Sequence, residues 1–222
     1  MNQSVSLNDL TYDRINKDIM NLVLEPGSAV SIQKLADVYQ VSRTPVREAI
    51  IRLEKKGLVE IYPQAKSIIS KINLKRIHQE RFIRKALEIA AVDSFIQNCD
   101  EATVHVLEGF VLIQKDSEQP DYYEQFFRAD NNFHRVIFET AKEDLSWSTI
   151  NDVVSHYNRF RLLSTKLKGV NTEIIDDHDR IIKAAEYRNA SAMKEILEMH
   201  LGKIQREIGS LLEAYPDYFV EA

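Results

Sequence analysis

The sequence predicts a mainly α chain in two parts, an N-terminal winged helix-turn-helix followed by a C-terminal all-α antiparallel bundle of six helices. Three observations predict it. Before residue 74, three short apolar stripes at helical spacing lead into two β-rich runs; after it, six longer helical patterns follow with no strand signal of comparable strength. The charge also changes sign there. Residues 1–75 carry 11 Lys+Arg against 8 Asp+Glu, a net of +3, and residues 76–222 carry 18 against 26, a net of −8. The overall −5 conceals this asymmetry, which hints at a basic binding module joined to an acidic partner domain, with domains at 1–73 and 74–222.

In the first part, Tyr12, Ile15, Ile19 and Leu22 recur at steps of three and four ahead of the break at Pro26-Gly27. Ser31 precedes a short helix with Leu35, Ala36 and Tyr39 inward. Ser42 opens a third helix whose first turn accommodates Pro45, because the early amides of a helix have no helical partners. Lys55, Lys56 and Gly57 end it, with cations in the last turn and then a residue that accepts a left-handed backbone. Leu58 to Tyr62 and Ser67 to Ile72 read as a hairpin joined through Pro63 to Lys66. The second part divides into helices over roughly 74–98, 101–117, 121–142, 145–166, 172–188 and 190–213.

Composition narrows the functional classes. With 44% hydrophobic and 28% charged residues the chain is neither disordered nor collagen-like, and its size suffices for a core without a metal or disulfide as staple. The single cysteine, Cys99, has no partner for an intramolecular bond, so it reads as a small buried hydrophobe in a reducing cytoplasm. MNQSVSLNDL has neither the basic nor the apolar region of a secretion signal, and no apolar run approaches the ~18 residues of a membrane span. A soluble, unexported chain is expected.

On the third helix, Val46, Ala49, Ile50 and Leu53 make the inward stripe and leave Arg43, Thr44 and Arg47 on the other side near the N-terminus. That arrangement suits the DNA major groove, which takes donors from the first turns of a helix while the helix N-terminus meets phosphate. An Arg there either bonds a guanine edge bidentately or neutralises a phosphate. The run VSRTPVREAIIRLEKKGLVEIYP, residues 41–63, together with LEPGSAVSIQKLA upstream, resembles the DNA-binding signature of GntR-family bacterial transcription regulators. The resemblance implies that Ser42, Arg43, Thr44 and Arg47 face operator DNA, with Arg52 and the wing on the backbone or minor groove. The wing departs from the family pattern: Ala65-Lys66 stands where members commonly have Arg-Gly, so Lys66 is left to supply the charge.

Four polar residues fall where the bundle should be apolar. Asp130 and His134 lie on one stripe with Phe126, Phe133, Ile137 and Ala141; His178 lies between Ile174 and Ile181 or Ile182; His200 lies between Ile196 or Leu197 and Ile204. Buried unpaired, such groups cost several kcal/mol, so they are expected to share a partner or a ligand. One oxygen and three imidazole nitrogens suit Zn²⁺, Ni²⁺, Mn²⁺ or Fe²⁺, with zinc slightly favoured, and bundle interiors commonly house metals. The other histidines, His78, His105 and His156, have no matching partners and read as ordinary.

Asp130 to His134, DHDRI at His178 and MHL at His200 resemble the metal-binding set of the FCD effector domain of FadR-type GntR regulators, and six helices suggest the shorter VanR-like branch. Arg84 shares a stripe with Ile77, Leu87 and Ala91, and RKALE at 84–88 resembles the family segment whose arginine faces the effector. A guanidinium beside a metal could clamp a carboxylate bidentately; a salt bridge to Glu88 is the plainer alternative. Arg81, Asn131, Asn158 and Arg161 are further lining candidates. The expected function is that of a homodimeric regulator, more commonly a repressor, on palindromic double-stranded operator DNA, answering to a small carboxylate or sugar acid. Two other readings compete. In one the metal is itself the signal or a structural bolt. The other is a metallohydrolase, for which HExxH, GxSxG and a spare carboxylate base are missing, so no enzyme is expected.

Overall fold

A computed structural model describes residues 6–62 and 66–220. The first five residues and the Pro63–Ala65 part of the hairpin connection lie outside them. The chain divides into two compact units, one of Met1–Leu74 with Tyr215–Ala222 and one of Lys75–Ala214.

The first unit opens with α1 (Leu7–Met20), capped by the Ser6 hydroxyl accepting from the Asp9 amide. It buries Tyr12, Ile15 and Ile19; Leu22 falls beyond the helix with a left-handed backbone, φ 62°. After β1 (Ala29–Val30), α2 (Ile32–Tyr39) starts from a Ser31 cap and turns inward Leu35, Ala36 and Tyr39. α3 (Arg43–Lys55) buries Val46, Ala49, Ile50 and Leu53 and packs against α1. Gly57, at φ 72°, releases the chain into the hairpin of β2 (Val59–Tyr62) and β3 (Lys66–Ile69), with Val59 opposite Ile69 and Tyr62 opposite Lys66. β1 adds antiparallel to β3, giving the order β1-β3-β2. Three helices with a small antiparallel sheet form the winged helix-turn-helix, and one apolar cluster fills it.

The second β-run is shorter than its sequence pattern. It stops at Ile69, and Ile72-Asn73 forms a separate strand, β4 (Ile72–Asn73), paired in parallel with β5 (Phe219–Val220) at the end of the chain. A single cut after residue 73 therefore misses the C-terminal residues, which belong to the first unit.

The second unit is all helical: α4 (Leu74–Asn98), α5 (Glu101–Asp116), α6 (Tyr123–Thr140), α7 (Asp144–Val153), α8 (Ser155–Ser164), α9 (Val170–Glu186), α10 (Ala190–His200) and α11 (Ile204–Ala214). α5 packs on α6 and α9, α9 on α10, and α8 on α6 and α11. Four of the six expected helices are present as single elements, while two are each broken in two.

The break at Val154 is held from a distance. The buried Glu80 carboxylate on α4 accepts from the Tyr157 amide at 2.9 Å and so caps the start of α8. The break at 201–203 is held by Lys203, whose Nζ donates to the Glu173 carbonyl at 3.1 Å and pairs with Asp177 at 2.6 Å. Cys99 is free and buried, and no described helix is long and apolar enough to cross a membrane.

Candidate metal centre and nucleic-acid interface

Asp130 and His134 are one turn apart on α6, His178 is on α9 and His200 ends α10. Their inward placement follows from the apolar residues flanking each of them at helical spacing. One donor atom from each lies within 4.8 Å of all the others. The three imidazole centroids form a nearly equilateral triangle, at 5.2 Å for His134–His178, 5.3 Å for His134–His200 and 5.0 Å for His178–His200.

The Nδ1 atoms explain how the rings are oriented. His134 Nδ1 meets the Glu88 carboxylate, His178 Nδ1 meets Gln114 Oε1 at 2.8 Å, and His200 Nδ1 meets Asp177 Oδ2 at 3.1 Å. The Glu88 and Asp177 carboxylates and the Gln114 amide oxygen only accept, so Nδ1 carries the proton in each ring and leaves Nε2 with a lone pair that can coordinate. Nε2 of both His134 and His178 is buried with no hydrogen-bond partner among the described residues. The Asp130 oxygens lie 4.0 and 3.7 Å from them, too far for hydrogen bonds. Phe133 stacks on His178 with centroids 3.9 Å apart and closes one side.

The electrostatics keep the donors in ligand form. Burial, then Arg84 for His134 and His200 for His178, push both imidazoles well below their ordinary pKa. Burial alone would raise the Asp130 carboxyl; the Arg161 guanidinium, with Arg84 behind it, outweighs burial and holds that group well below the usual carboxylate range. Neutral imidazoles and an ionised carboxylate are the forms that bind a cation.

A cleft adjoins this cluster, lined by Asp130 and His200 together with Arg161, Ser164, Lys203 and Glu207 and by the apolar faces of Phe127, Phe160 and Ile204. Arg161 donates to Asp130, to Asn131 Oδ1 at 2.9 Å and to Asn158 Oδ1 at 3.0 Å. The structure thus brings together three of the expected lining residues, Arg161, Asn131 and Asn158, of which Arg161 is itself among the cleft residues. Arg84, 1% exposed, donates from Nε to Glu88 Oε2 at 3.2 Å and keeps a buried Nη2 without a hydrogen-bond partner among the described residues; Arg81 donates to the carbonyl of Leu201, a cleft residue, at 3.3 Å.

Sequence reasoning missed Gln114, Asp177, Lys203 and Glu207, and considered Glu88 only as a partner for Arg84. Gln114 carried a signal, since it continues the stripe of Val104, Leu107 and Val111 as its one polar member.

On the first unit, Ser42, Arg43, Thr44 and Arg47 are exposed at the N-terminal end of α3. Arg43 Nε bonds Gln33 Oε1 on α2, whereas Arg47 makes no ion pair among the described residues. Arg52 turns to α1, pairing with Asp9 at 2.9 Å and lying over the Tyr12 ring at 3.9 Å. Lys66, at the first position of β3, is exposed.

A winged helix-turn-helix joined to a helical domain with a buried His/Asp cluster is the architecture of a DNA-binding regulator. Comparison with known proteins agrees. Residues 7–67 match the bacterial regulatory proteins of the gntR family and residues 81–203 match the FCD domain, so the chain belongs to the GntR family of transcription regulators with an FCD C-terminal domain. It is 28% identical over 221 residues to the HTH-type transcriptional repressor RspR of Escherichia coli K12, covering 100% of this chain and 97% of that one. It is 28% identical over 206 residues to the gluconate operon transcriptional repressor of Bacillus licheniformis, covering 87% and 81%. The fold is that of E. coli McbR/YncC, with a TM-score of 0.78 at 18% identity over 96% of this chain and 100% of that one. The protein is a transcription regulator and not an enzyme. With eight helices in the second unit, helix number does not argue for the six-helix VanR-like branch.

Proposed function

We propose that the protein is a cytoplasmic, homodimeric repressor whose operator affinity responds to a small organic acid bound beside a divalent metal. The single observation that carries this reading is the triangle of imidazoles around a buried carboxylate, each with Nδ1 engaged, and with Nε2 of His134 and His178 4.0 and 3.7 Å from Asp130. Two orphaned buried nitrogens cost about 1–3 kcal/mol each, a cost that coordination removes. Asp130, His134, His178 and His200 would hold the metal, and three nitrogens with one oxygen fit a first-row divalent ion such as zinc, nickel, manganese or iron. When bound, such an ion supplies a positive anchoring point for a carboxylate.

This chain's own residues do the rest. Arg161, held in position by Asn131 and Asn158, presents its planar guanidinium to the cleft and clamps the acid. Arg84 acts one shell further out, fixing Glu88, which in turn fixes His134. The FCD match and the gluconate repressor among the relatives support a carboxylate or sugar-acid effector and a repressor's action.

On the DNA side, Ser42, Arg43, Thr44 and Arg47 enter the major groove of a palindromic operator and Lys66 meets the backbone. Two heads on half-sites about 34 Å apart mirror the two-fold axis of a dimer. The acid must prefer one head spacing over the other, because a ligand with equal affinity for both states shifts nothing.

The test is a thermal-shift screen of zinc-loaded protein against dicarboxylates, hydroxy acids and sugar acids. At least one acid is expected to raise Tm by several degrees, and the shift should vanish in Arg161→Ala. Absence of a shift with every acid, or a shift unchanged in Arg161→Ala, contradicts the reading.

A further inference from the structure

Arg43 is the first residue of α3, and Gln33 the second of α2, whose start is fixed by the Ser31 hydroxyl accepting from the Lys34 amide at 3.1 Å. α2 packs against α3, and the two side chains meet between them. Arg43 Nε donates to Gln33 Oε1, and Gln33 Nε2 donates to Asp37 Oδ1 at 2.6 Å, one turn further along α2. A carboxylate only accepts, so Asp37 decides which way the Gln33 amide faces: its nitrogen toward Asp37 and its oxygen toward Arg43. Asp37, Gln33 and Arg43 thus form one directed chain that ends on the guanidinium.

The chain engages Nε and leaves the Nη1–Nη2 edge of Arg43, which bonds no described residue, at the exposed N-terminal end of α3. Two parallel N–H groups on that edge match O6 and N7 of guanine in the major groove. A phosphate can be met by an arginine from many directions, whereas a base edge has to be met from one, so a guanidinium tied at Nε suits the base. Gln33 has its oxygen and its nitrogen engaged within the protein, which favours a role through Arg43 over a base contact of its own. We infer that Gln33, oriented by Asp37, is a specificity-determining positioning residue that aims the Nη edge of Arg43 at a guanine in each half-site. The inference rests on the major-groove reading above and deepens it, since it assigns Arg43 a base edge and not a phosphate.

Selection of binding sites from random duplexes by the full-length protein, followed by competition gel shifts on single-base variants of the recovered site, tests it. For the wild type, replacing one guanine of the half-site should lower affinity at least about fivefold, the low end for a bidentate arginine contact. Arg43→Ala should lose that discrimination and keep the preferences at other positions. Gln33→Met, which matches glutamine in length but has no amide, should lower the discrimination at the same base pair toward that of Arg43→Ala. Asp37→Ala should act in the same direction by freeing the amide to turn, while Asp37→Asn, whose amide oxygen still accepts, should retain most of the discrimination. Added to Arg43→Ala, Gln33→Met should change nothing further at that base pair, a result that a direct contact of Gln33 with DNA would not give. The preferences kept at other positions report that each variant is folded and docked. Discrimination unchanged in Gln33→Met, or a further loss when it is added to Arg43→Ala, overturns the inference. So does an Arg43→Ala protein weakened equally on every duplex, which is the mark of a phosphate contact. If the wild type recovers no preferred half-site, the major-groove reading falls and the inference falls with it.

Discussion

The buried carboxylate of Glu88 sits between the Arg84 guanidinium and His134 Nδ1, at 0% exposure. It fixes which nitrogen of His134 carries the proton, and partners of this kind typically alter metal affinity by 10–100-fold when replaced. Glu88→Gln should therefore weaken zinc binding by roughly that factor, measured by competition with a chromophoric chelator; an affinity equal to wild type would remove Glu88 from the site. His156 provides a separate test, outside the cluster. Its Nδ1 faces Arg159 Nη2 at 3.1 Å, and burial, then Arg159, lower its pKa from 6.5 to about 3. Between those values the unfolded chain binds a proton that the folded chain refuses. Stability therefore falls as pH drops from about 6.5 toward about 3, with a contribution of up to about 1.4 kcal/mol per pH unit. In metal-free protein, His156→Gln should flatten the urea-unfolding stability slope over that window; an unchanged slope would show that His156 is protonated in the fold. At this scale the four metal candidates were legible because each breaks an apolar stripe of period 3.6. Asp177 was not legible, because it neighbours His178 in sequence yet serves His200 on another helix.

Helices show why part of the architecture escaped the sequence. The patterns over 145–166 and 190–213 keep their periodicity through Val154 and through Leu201 to Lys203, so nothing local marks the first stop and Gly202 alone marks the second. The breaks are stabilised by groups far away in sequence, Glu80 for α8 and Glu173 with Asp177 for the turn before α11. Glu80→Ala should thus destabilise the second unit by about 1–2 kcal/mol, the usual worth of an N-cap, in urea unfolding. A change within a few tenths of a kcal/mol would mean that another group caps α8. α3 behaved differently, since its Ser42 start, Pro45, buried stripe and Gly57 exit are all local signals, and each is present in the structure. Arg47, exposed on its outer face, should be dispensable for folding and required for specific DNA. Arg47→Ala is expected to keep the wild-type Tm while losing operator retention in a gel shift, and unchanged retention would refute its role in recognition.

The whole molecule joins a winged helix-turn-helix unit with 10 Lys+Arg and 10 Asp+Glu, net 0, to a helical unit with 19 and 24, net −5, because Asp217 and Glu221 return to the first unit with the end of the chain. Motif order and helical content made this division readable from the sequence, while the +3 and −8 of a cut after residue 75 overstated the charge contrast. The return of Phe219-Val220 to pair with Ile72-Asn73 was not readable, because a two-residue strand has no periodicity to detect. α11 lines the cleft and leads through Tyr215 to β5, while β4 leads directly into α4, so each covalent passage between the units starts or ends at this small sheet. The central claim is that acid binding beside a metal alters operator affinity, a coupling that in ligand-responsive proteins is typically 5–150-fold. Fluorescence anisotropy measures it most directly, on labelled duplexes recovered by selection from random DNA, using the acid with the largest thermal shift. Zinc-loaded protein should change its operator affinity at least about fivefold on adding the acid, and His134→Ala or chelated protein should not respond. An acid response of equal size without the metal site, or none with it, would contradict the account.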